Sequence, residues 1–358
     1  MSGTNRARTM KAAILVAQHE PLVVDEVQLP DELTHGQVLV RVDYSGICGS
    51  QLGEIDGVKG PDRHVPHLLG HEGSGWVVEV GPGVKLVRPG DHVVMHWMKG
   101  KGIEAEPPRY TWQGRPLNAG WITTFNELAI VSENRLTPIP AGLDGRVAAL
   151  FGCAVTTGLG TVTNNAKVRM GESVVVLGAG GVGLNMIQGA SLTSAHPILA
   201  VDVHENRLEL ARTMGATHAL NGRAADLQAE IPRLLGGRGA DVVIDNTGLP
   251  EMIELAYELT HPQGRVILVG VPRAGAAARL HTLPLHFGKV LTGSHGGETN
   301  PSEDIPRYLR LLEAGRLALA PLLTNELPLA AVNEALARIR SGDVAGRCLL
   351  NLARAQIP

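Results

Sequence analysis

Three residues that could bind a metal ion, Cys48, His71 and Cys153, each stand next to a glycine in the sequence. Two thiolates and one imidazole suit zinc in a site whose fourth position stays open for a substrate. Considered singly, each residue has a simpler interpretation, because free cysteines and hydrogen-bonded histidines are common in protein cores. The 3 cysteines are odd in number and far apart, which indicates a reducing compartment and no disulfide framework.

A second group of residues could bind a dinucleotide. The sequence predicts a strand over residues 174–177, then a glycine turn, then a helix over residues 184–192. In such a unit the first glycine permits a tight turn, the second lets a pyrophosphate approach the backbone, and the third lets helix and strand pack closely. The helix N-terminus then faces the phosphates. The turn residues assigned to the cofactor are Gly178, Gly180, Gly181, Val182 and Gly183.

An acidic residue follows at the distance that a dinucleotide site requires. Asp202 ends an apolar run, residues 198–201, about 20 residues after the turn. Its carboxylate can hold the adenosine ribose hydroxyls and repels a 2′-phosphate, which favours NAD over NADP. A chain with 44 glycines also produces such patterns by chance, and the alternative is a surface loop with a solvated aspartate. The order of strand, turn, helix, strand and acid favours the dinucleotide site.

The length and net charge of the chain limit the number of its domains and the kinds of molecule that it could bind. At 358 residues the chain is too long for one ordinary hydrophobic core and indicates two domains. Its formal net charge of −3 and the lack of a long basic run argue against nucleic acid or membrane as partners and favour small molecules. Residues 1–10 are polar, and no stretch approaches about 18 unbroken apolar residues. These features predict a cytoplasmic protein.

The chain has two parts with different sequence patterns, and the elements of these two parts must position the candidate site residues. Residues 11–150 contain short alternating runs separated by glycine and proline, which indicates a compact β-rich module. Between residues 98 and 118 the alternation fails, and we expect a surface lobe there. After Gly171 strands and helices alternate, as in a doubly wound parallel sheet. Later elements, expected to complete the sheet and return to the first module, are residues 290–294, 305–314 and 329–341.

Several motifs together resemble one family. They are the spacing of the three candidate ligands, Gly-His-Glu at 70–72, Val-Gly-Pro-Gly-Val at 80–84, Pro-Gly-Asp at 89–91 and the glycine turn after Cys153. The chain resembles the zinc-dependent medium-chain alcohol dehydrogenases from about residue 11 to residue 350. Its tail, from Gly296-Gly297 to Gly346-Arg347, is most similar to the branch that contains the animal and glutathione-dependent enzymes.

This resemblance implies an α/β fold with two domains. A GroES-like β-rich catalytic domain would occupy residues 1–154, a Rossmann NAD-binding domain residues 155–296, and a segment completing the catalytic domain residues 297–358. The implied activity is zinc-dependent hydride transfer between NAD(H) and an alcohol, aldehyde or ketone. The implied assembly is a homodimer or homotetramer.

The resemblance also implies a role for each site residue. Cys48, His71 and Cys153 would bind the catalytic zinc, and Glu72 would sit behind it and approach the metal during ligand exchange. Ser50 would take the proton of the alcohol and pass it through the cofactor ribose; its alternative role is a turn hydroxyl bonded to its own backbone. Two arginines would contact the cofactor: Arg207 and, at the pyrophosphate, Arg347.

Three positions depart from the pattern of the family. Gln51 stands where relatives carry an aspartate that orients the zinc-bound histidine, and we expect its amide oxygen to accept from the imidazole. Gly53 stands where some relatives end the proton relay with histidine. The lobe, residues 98–118, contains no cysteine, whereas many relatives hold a second, structural zinc there. The sequence therefore predicts one zinc ion per chain.

Two tryptophans are candidates for the substrate pocket. Alignment with the family puts Trp97 on the pocket wall, and Trp121 falls near another wall position. Two indoles would narrow the pocket and offer donor groups to a polar substrate. The alternative for both residues is that they fill the core between the domains.

Two other functions compete with alcohol dehydrogenase. A polyol, sugar or amino-alcohol dehydrogenase of the same superfamily, acting in biosynthesis and in the reductive direction, would share every catalytic residue. A nucleotide-binding structural or regulatory protein that has lost catalysis is disfavoured, because all three ligands and Ser50 are present.

Overall fold

The computed structural model describes residues 8–223 and 226–353. Most of residues 1–10, on which the cytoplasmic prediction partly depends, and the outer limits of the predicted domains lie outside the described residues. Within the described ranges, no helix is both long enough and apolar enough to cross a membrane.

The strands lie in three sheets. Their bounds are β1 Thr9–Leu15, β2 Val23–Gln28, β3 Gln37–Gly46, β4 His67–Leu68, β5 Glu72–Val80, β6 His92–His96, β7 Tyr110–Trp112, β8 Arg115–Leu117, β9 Leu128–Ser132, β10 Leu136–Pro138, β11 Val174–Leu177, β12 Ile198–Asp202, β13 His218–Asn221, β14 Ala240–Asp245, β15 Thr260–Leu268, β16 Val290–Gly293, β17 Leu323–Pro328 and β18 Arg347–Asn351.

Helices cover the parallel sheet and close the ends of the β-rich module. Their bounds are α1 Gly49–Ile55, α2 Gly145–Leu150, α3 Ala154–Gly160, α4 Gly181–Leu192, α5 Glu205–Thr213, α6 Leu227–Leu234, α7 Pro250–Leu259, α8 Pro301–Glu313 and α9 Val332–Ser341. A π-helical turn, Thr161–Asn165, continues α3, and short 3-10 turns occur at Glu133–Arg135, Leu283–Phe287, Gly296–Glu298, Ala320–Leu322 and Leu329–Ala331.

The second half of the chain forms the predicted doubly wound parallel sheet. Its strand order is β13-β12-β11-β14-β15-β16, and every neighbouring pair is parallel. All four residues of β11 are fully buried, because helices cover both faces of a parallel sheet. Leu177 pairs with Val201, so the glycine turn after β11 and Asp202 at the end of β12 meet at the same edge. This edge is where nucleotides bind in doubly wound sheets.

The chain then returns to the β-rich module. Strand β18 pairs in parallel with β17 and antiparallel with β3, which leads into Cys48. The backbone N–H of Ile47 donates to the carbonyl of Cys348 at 3.0 Å. This long-range pairing puts Arg347, at the start of β18, next to the loop that carries the first candidate ligand.

The lobe contains more structure than the sequence predicts. Strands β7 and β8 form a hairpin whose turn is Gln113 and Gly114, both with positive φ (50° and 72°). Tyr110 is buried, and Trp112 Nε1 donates to Asp25 at 2.8 Å. Strands of three residues are too short for an alternating pattern to stand out, so the sequence shows only an irregular segment.

A buried carboxylate organises the base of the lobe. Glu133 accepts three hydrogen bonds, at 2.6, 2.8 and 2.8 Å, from the backbone N–H groups of Lys85, Leu86 and Ile103. Hydrogen bonds to a charged acceptor are stronger than neutral ones. Glu133 thus fixes this segment by protein contacts, in a lobe that has no cysteine to bind a metal.

Other elements are also absent from the prediction, among them β2, α6 and the short helices α1, α2 and α3. Strand β2 is acidic and mostly exposed, so it shows little of the apolar alternation that marks a half-buried strand. Helix α6 contains Pro232, which disfavours a helix in sequence-based reasoning. The boundaries 1–154, 155–296 and 297–358 stay predictions.

Candidate active site

The three candidate metal ligands lie together at the junction of three elements. Cys48 is the N-cap of α1, His71 follows Gly70 and precedes β5, and Cys153 is the N-cap of α3. One ligand atom from each residue lies within 4.8 Å of the other two. Residues that are far apart in the sequence are thus close enough to share one ion.

The chemistry of this cluster fits a zinc ion. Nε2 of His71 is buried and has no hydrogen-bond partner among the described residues, which suits a nitrogen that ligates a metal. A hydrogen bond from the Cys153 thiol, together with His71, holds the pKa of Cys48 well below its ordinary value. The neighbouring Cys48 and burial raise the pKa of Cys153. Two sulfurs and one imidazole leave a fourth tetrahedral position open.

Gln51 contacts two of the ligands from the first turns of α1. Its Oε1 accepts a hydrogen bond from the backbone N–H of Cys48 at 3.0 Å, and its Nε2 contacts Nδ1 of His71. This arrangement departs from the expectation that the amide oxygen accepts from the imidazole. A neutral His71 that binds zinc through Nε2 carries its proton on Nδ1 and needs an acceptor there, so zinc binding requires the Gln51 amide to turn its oxygen toward the ring. Gln51 therefore holds the Cys48 loop and the His71 ring together but brings no negative charge to the imidazole.

Glu72 is fully buried next to His71 and forms an ion pair with Arg347, whose side chain is 4% exposed. Removing a charge from water is costly unless it is paired, so Arg347 compensates the buried carboxylate. The other oxygen of Glu72 accepts from the backbone N–H of Ala154 at 3.4 Å. A Cβ added at Gly181 would lie 2.3 Å from Cδ of Arg347. Arg347 therefore contacts both the metal-site carboxylate and the glycine turn.

Two glycines of the turn are required by its geometry. Gly178 has φ of +94°, in the left-handed region, and a Cβ added at Gly183 would lie 2.0 Å from the carbonyl oxygen of Gly178. Gly180 is the N-cap of α4, so the free N–H groups of that helix point out of the turn. A helix N-terminus of this kind binds phosphate. Val182, in the first turn of α4, is half-buried.

Asp202 is held rigidly beside this turn. Its Oδ2 accepts from the backbone N–H of Ala179 at 2.8 Å. Its Oδ1 accepts from the N–H groups of Val203 and His204 at 2.8 and 3.0 Å. Nη1 of Arg207 lies 3.7 Å from Oδ2. The carboxylate thus stands at the carboxyl end of β12, where a ribose binds in this type of fold.

Comparison with known proteins agrees with both parts of the site, the metal cluster and the glycine turn. The family model for zinc-binding dehydrogenases matches residues 181–314, and the model for the alcohol dehydrogenase GroES-like domain matches residues 34–141. S-(hydroxymethyl)glutathione dehydrogenase of Haemophilus influenzae is 32% identical to this chain over an alignment of 361 residues. The alignment covers 93% of this chain and 94% of that protein. The chain belongs to the zinc-dependent alcohol dehydrogenases. The predicted family and fold class are confirmed.

Solved structures of related proteins support the same assignment for this alcohol dehydrogenase. An alcohol dehydrogenase zinc-binding domain protein from Burkholderia ambifaria superposes with a TM-score of 0.89 at 29% identity, covering 98% of this chain and all of that one (100%). Benzyl alcohol dehydrogenase from Acinetobacter calcoaceticus gives 0.87 at 27% identity, with coverages of 97% and 100%. The enzyme uses zinc and NAD, and it transfers a hydride between NAD(H) and an alcohol, aldehyde or ketone.

The two tryptophans of the dehydrogenase occupy different environments. The Trp97 ring is 6.3 Å from the His71 ring, centroid to centroid, and makes an edge contact with His295 at 5.0 Å. Nε1 of Trp97 is buried and faces the thiol of Cys153, whose pKa this contact lowers against the larger effects of Cys48 and burial. Trp121 is 46% exposed, and the guanidinium of Arg135 lies 5.5 Å from its ring. The assignment of Trp121 to the pocket stays a prediction.

Ser50 lies in the first turn of α1, two residues after Cys48, and is exposed. Gly53 is in the same helix, and a Cβ added there would make only ordinary contacts with the Val58 side chain at 3.6 and 3.7 Å. The position therefore has room for a side chain. Packing therefore does not require a glycine at position 53.

Sequence reasoning missed two residues of this region. His295, which contacts Trp97, precedes the Gly296-Gly297 pair of the family pattern, and nothing in the local sequence marks it as part of the site. Glu54 is four residues after Ser50 on α1, and helical periodicity could have placed both on one face.

Proposed function

We propose that this alcohol dehydrogenase binds its catalytic zinc through Cys48, His71 and Cys153, directly beside the NAD pyrophosphate. The observation that carries this proposal is the position of Arg347, which contacts Glu72 behind the metal cluster and Gly181 in the glycine turn. A single side chain thus links the two sites. Glu72 is positioned to approach the metal during ligand exchange if its pair with Arg347 opens.

Zinc supplies Lewis acidity, which makes the hydroxyl of a bound alcohol more acidic. Cys48, His71 and Cys153 would hold the ion, and three protein ligands would leave one coordination position for the substrate. Ser50, exposed at the start of α1, accepts the hydroxyl proton. Gln51 contacts both the Cys48 loop and the His71 ring and so keeps their relative positions fixed while the substrate enters.

The cofactor is oriented by residues from both modules. The N–H groups at the start of α4, from Gly181, Val182 and Gly183, face the pyrophosphate, and Arg347 adds a positive charge beside them. Asp202 receives the adenosine ribose hydroxyls, and Arg207 holds the far side of that carboxylate. A negative charge at Asp202 repels the 2′-phosphate of NADP.

Trp97 forms the wall of the substrate pocket that faces the metal cluster. Its ring stands between His71 and His295, so it limits the bulk that can reach the metal. Linear primary alcohols and the corresponding aldehydes fit such a wall better than branched ones. Polyols and amino alcohols are the competing class, and no contact of the described residues favours them.

A substrate screen tests this function directly. The zinc-loaded enzyme with NAD would be assayed by NADH absorbance on linear alcohols, branched alcohols, polyols and amino alcohols, and with NADH on the corresponding carbonyl compounds. We expect turnover with linear alcohols to exceed turnover with polyols. Turnover confined to polyols would replace the proposed substrate class, and no turnover with any compound would contradict the assignment of the site.

We further propose that the enzyme is a homodimer or homotetramer. Strand β16 is an edge of the parallel sheet, and large apolar side chains near it are exposed: Phe287 is 71%, Leu283 55% and Val290 47% exposed. An unpaired strand edge with apolar neighbours favours association. Light scattering after size exclusion should give two or four chains, and Phe287→Asp should weaken the assembly; a monomeric natural protein would contradict the proposal.

The proposed location is the cytoplasm. All three cysteines are free thiols, as in proteins of reducing compartments. Fractionation of cells that express the native protein would test this.

A further inference from the structure

Oxidation of an alcohol to a carbonyl compound releases a hydride and a proton, and the proton must reach solvent. In the proposed function Ser50 takes this proton, but a serine hydroxyl cannot keep it and has to pass one on. Gly53, on the same helix, offers no proton acceptor. The chain therefore needs another group that can accept a proton near Ser50.

Glu54 is the carboxylate best positioned for this role. Ser50 and Glu54 are four residues apart on α1, so their side chains lie on the same face, one turn apart. The Glu54 side chain is half-buried, and none of the described residues donates a hydrogen bond to its carboxylate. A partly desolvated carboxylate without donors is costly, and such groups are frequently functional.

Four titratable groups are close enough to Glu54 to act on its carboxylate. They are His71, from the metal cluster, and His67, Lys59 and Asp62. His67 and Asp62 form a pair of their own, with Nε2 and Oδ2 2.8 Å apart, and both are partly exposed. Burial raises the pKa of Glu54 above its usual value of 4.5, Lys59 opposes this, and the nearby Asp62 adds to it. A His71 that binds zinc is neutral and adds no positive charge. The carboxylate is within electrostatic range of both the metal site and a His–Asp pair that reaches the surface.

We propose that Glu54 is the proton acceptor that follows Ser50 and releases the proton to solvent near His67 and Asp62. This rests on the proposed function of Ser50. The O–H bond of the alcohol breaks, its proton goes to Oγ of Ser50, and the proton of Ser50 goes, by way of the cofactor ribose that the family resemblance implies, to a carboxylate oxygen of Glu54. The carbon of the alcohol transfers its hydride to NAD, so NADH and the carbonyl compound form. Glu54 then loses its proton to water, and one proton is released for each NADH.

The test compares Glu54→Gln, which keeps the shape but cannot accept a proton, with Glu54→Asp. Zinc-loaded enzyme would be mixed with NAD and alcohol in a stopped-flow instrument that records NADH absorbance and a pH-indicator dye together. We expect Glu54→Gln to slow proton release and hydride transfer by about 100-fold, the lower end of the range for a lost acid–base group. Glu54→Asp should retain part of the rate, and added formate should partly restore Glu54→Gln.

The pH profile separates a proton acceptor from a structural residue. Oxidation requires the ionised carboxylate, so the rate of the natural enzyme should fall on the acid side at a pH above the ordinary glutamate range. That limb should disappear in Glu54→Gln. Asp56→Asn is the matched control, because Asp56 follows the same helix but pairs with Arg340 at 2.7 Å. An unchanged rate and an unchanged acid limb in Glu54→Gln, with zinc content and fold intact, would overturn the proposal.

Two further measurements distinguish failure of the Glu54 proposal from failure of the proposed function. Ser50→Ala should lower turnover; if it does so while Glu54→Gln has no effect, only the Glu54 proposal fails. If Ser50→Ala has no effect, the proposed role of Ser50 fails. Infrared difference spectra of the enzyme without substrate should show a carboxylic acid band that titrates and is missing in Glu54→Gln, and its absence would contradict the proposal independently of activity.

Discussion

Arg347 and Glu72 form a buried ion pair that connects the metal cluster with the glycine turn. The two residues are distant in the sequence and meet because β18 pairs with β3 beside the Cys48 loop. An arginine that is paired in this way has donors left for a phosphate, since its guanidinium carries five N–H groups. The pair therefore positions the cofactor and compensates the carboxylate at the metal with one side chain.

Replacing Arg347 should affect stability and cofactor binding together. Arg347→Met leaves the Glu72 charge buried and unpaired, which costs about 3–5 kcal/mol of unfolding free energy. It also removes a positive charge from the pyrophosphate, so the dissociation constant of NAD should rise. Urea unfolding and NAD titration would measure the two effects. Glu72→Gln in the Arg347→Met background should recover much of the stability but not the NAD affinity; full recovery of both would disprove the cofactor role.

Asp202 should set the choice between NAD and NADP. Asp202→Ser removes the acceptor of the ribose hydroxyls and the charge that repels a 2′-phosphate. We expect the KM for NAD to rise and the KM for NADP to fall. Steady-state kinetics with both cofactors would show it. Preference of the natural enzyme for NADP would mean that Asp202 does not have this role.

Trp97 should limit the bulk of the substrate. Trp97→Ala enlarges the pocket beside His71, so branched alcohols should gain relative to linear ones by tens to a few hundredfold in kcat/KM, since a methylene is worth about 1–3 kcal/mol in such a pocket. Trp121→Ala is the comparison, and its exposed ring leads us to expect a smaller shift. A ratio of branched to linear efficiency that does not change in Trp97→Ala would place Trp97 away from the substrate.

His96 should make the fold sensitive to acid. Its Nδ1–H donates to the carbonyl of Met98 at 2.8 Å, and its Nε2 accepts from the hydroxyl of Thr137 at 2.9 Å, which requires a neutral ring. Burial lowers the pKa of His96 from 6.5 to about 4. Because the folded pKa is lower than the unfolded one, the stabilisation is complete above 6.5 and is lost as the pH falls toward about 4.

Unfolding in urea at about pH 7.5 and about pH 5 would measure this effect. Between these two values the natural protein should lose about 2 kcal/mol more stability than His96→Gln, which cannot titrate. His218, which is only partly buried on β13, gives the matched control His218→Gln. Equal losses in the natural protein and in His96→Gln would show that His96 does not titrate in this way.

How far the sequence predicts this structure depends on the range of the interactions. The glycine turn and Asp202 are local features, and the structure places them together at the edge of the sheet as the sequence predicts. The orientation of Gln51 is not predictable, because its amide is divided between Cys48 and His71, and a sequence does not specify which atom faces which partner. The contact between Trp97 and His295 likewise depends on long-range packing.

The lobe illustrates the same limit. The sequence shows that it has no cysteine, but not that Glu133 and a short hairpin organise it. Those contacts join segments that are far apart in the chain, and no periodic pattern in the sequence indicates them. The prediction of one zinc ion per chain therefore depends on the ligands that are present and on the cysteines that are missing.

The most direct test of the zinc site is elemental analysis of the purified enzyme and of Cys153→Ala, combined with circular dichroism. We expect about one zinc per chain in the natural enzyme. In Cys153→Ala we expect far less zinc and no turnover, with the fold retained, because the ligands bind a catalytic ion that is not needed for folding. Two tightly bound zinc ions per chain, or a Cys153→Ala variant with full activity and full zinc content, would contradict this account.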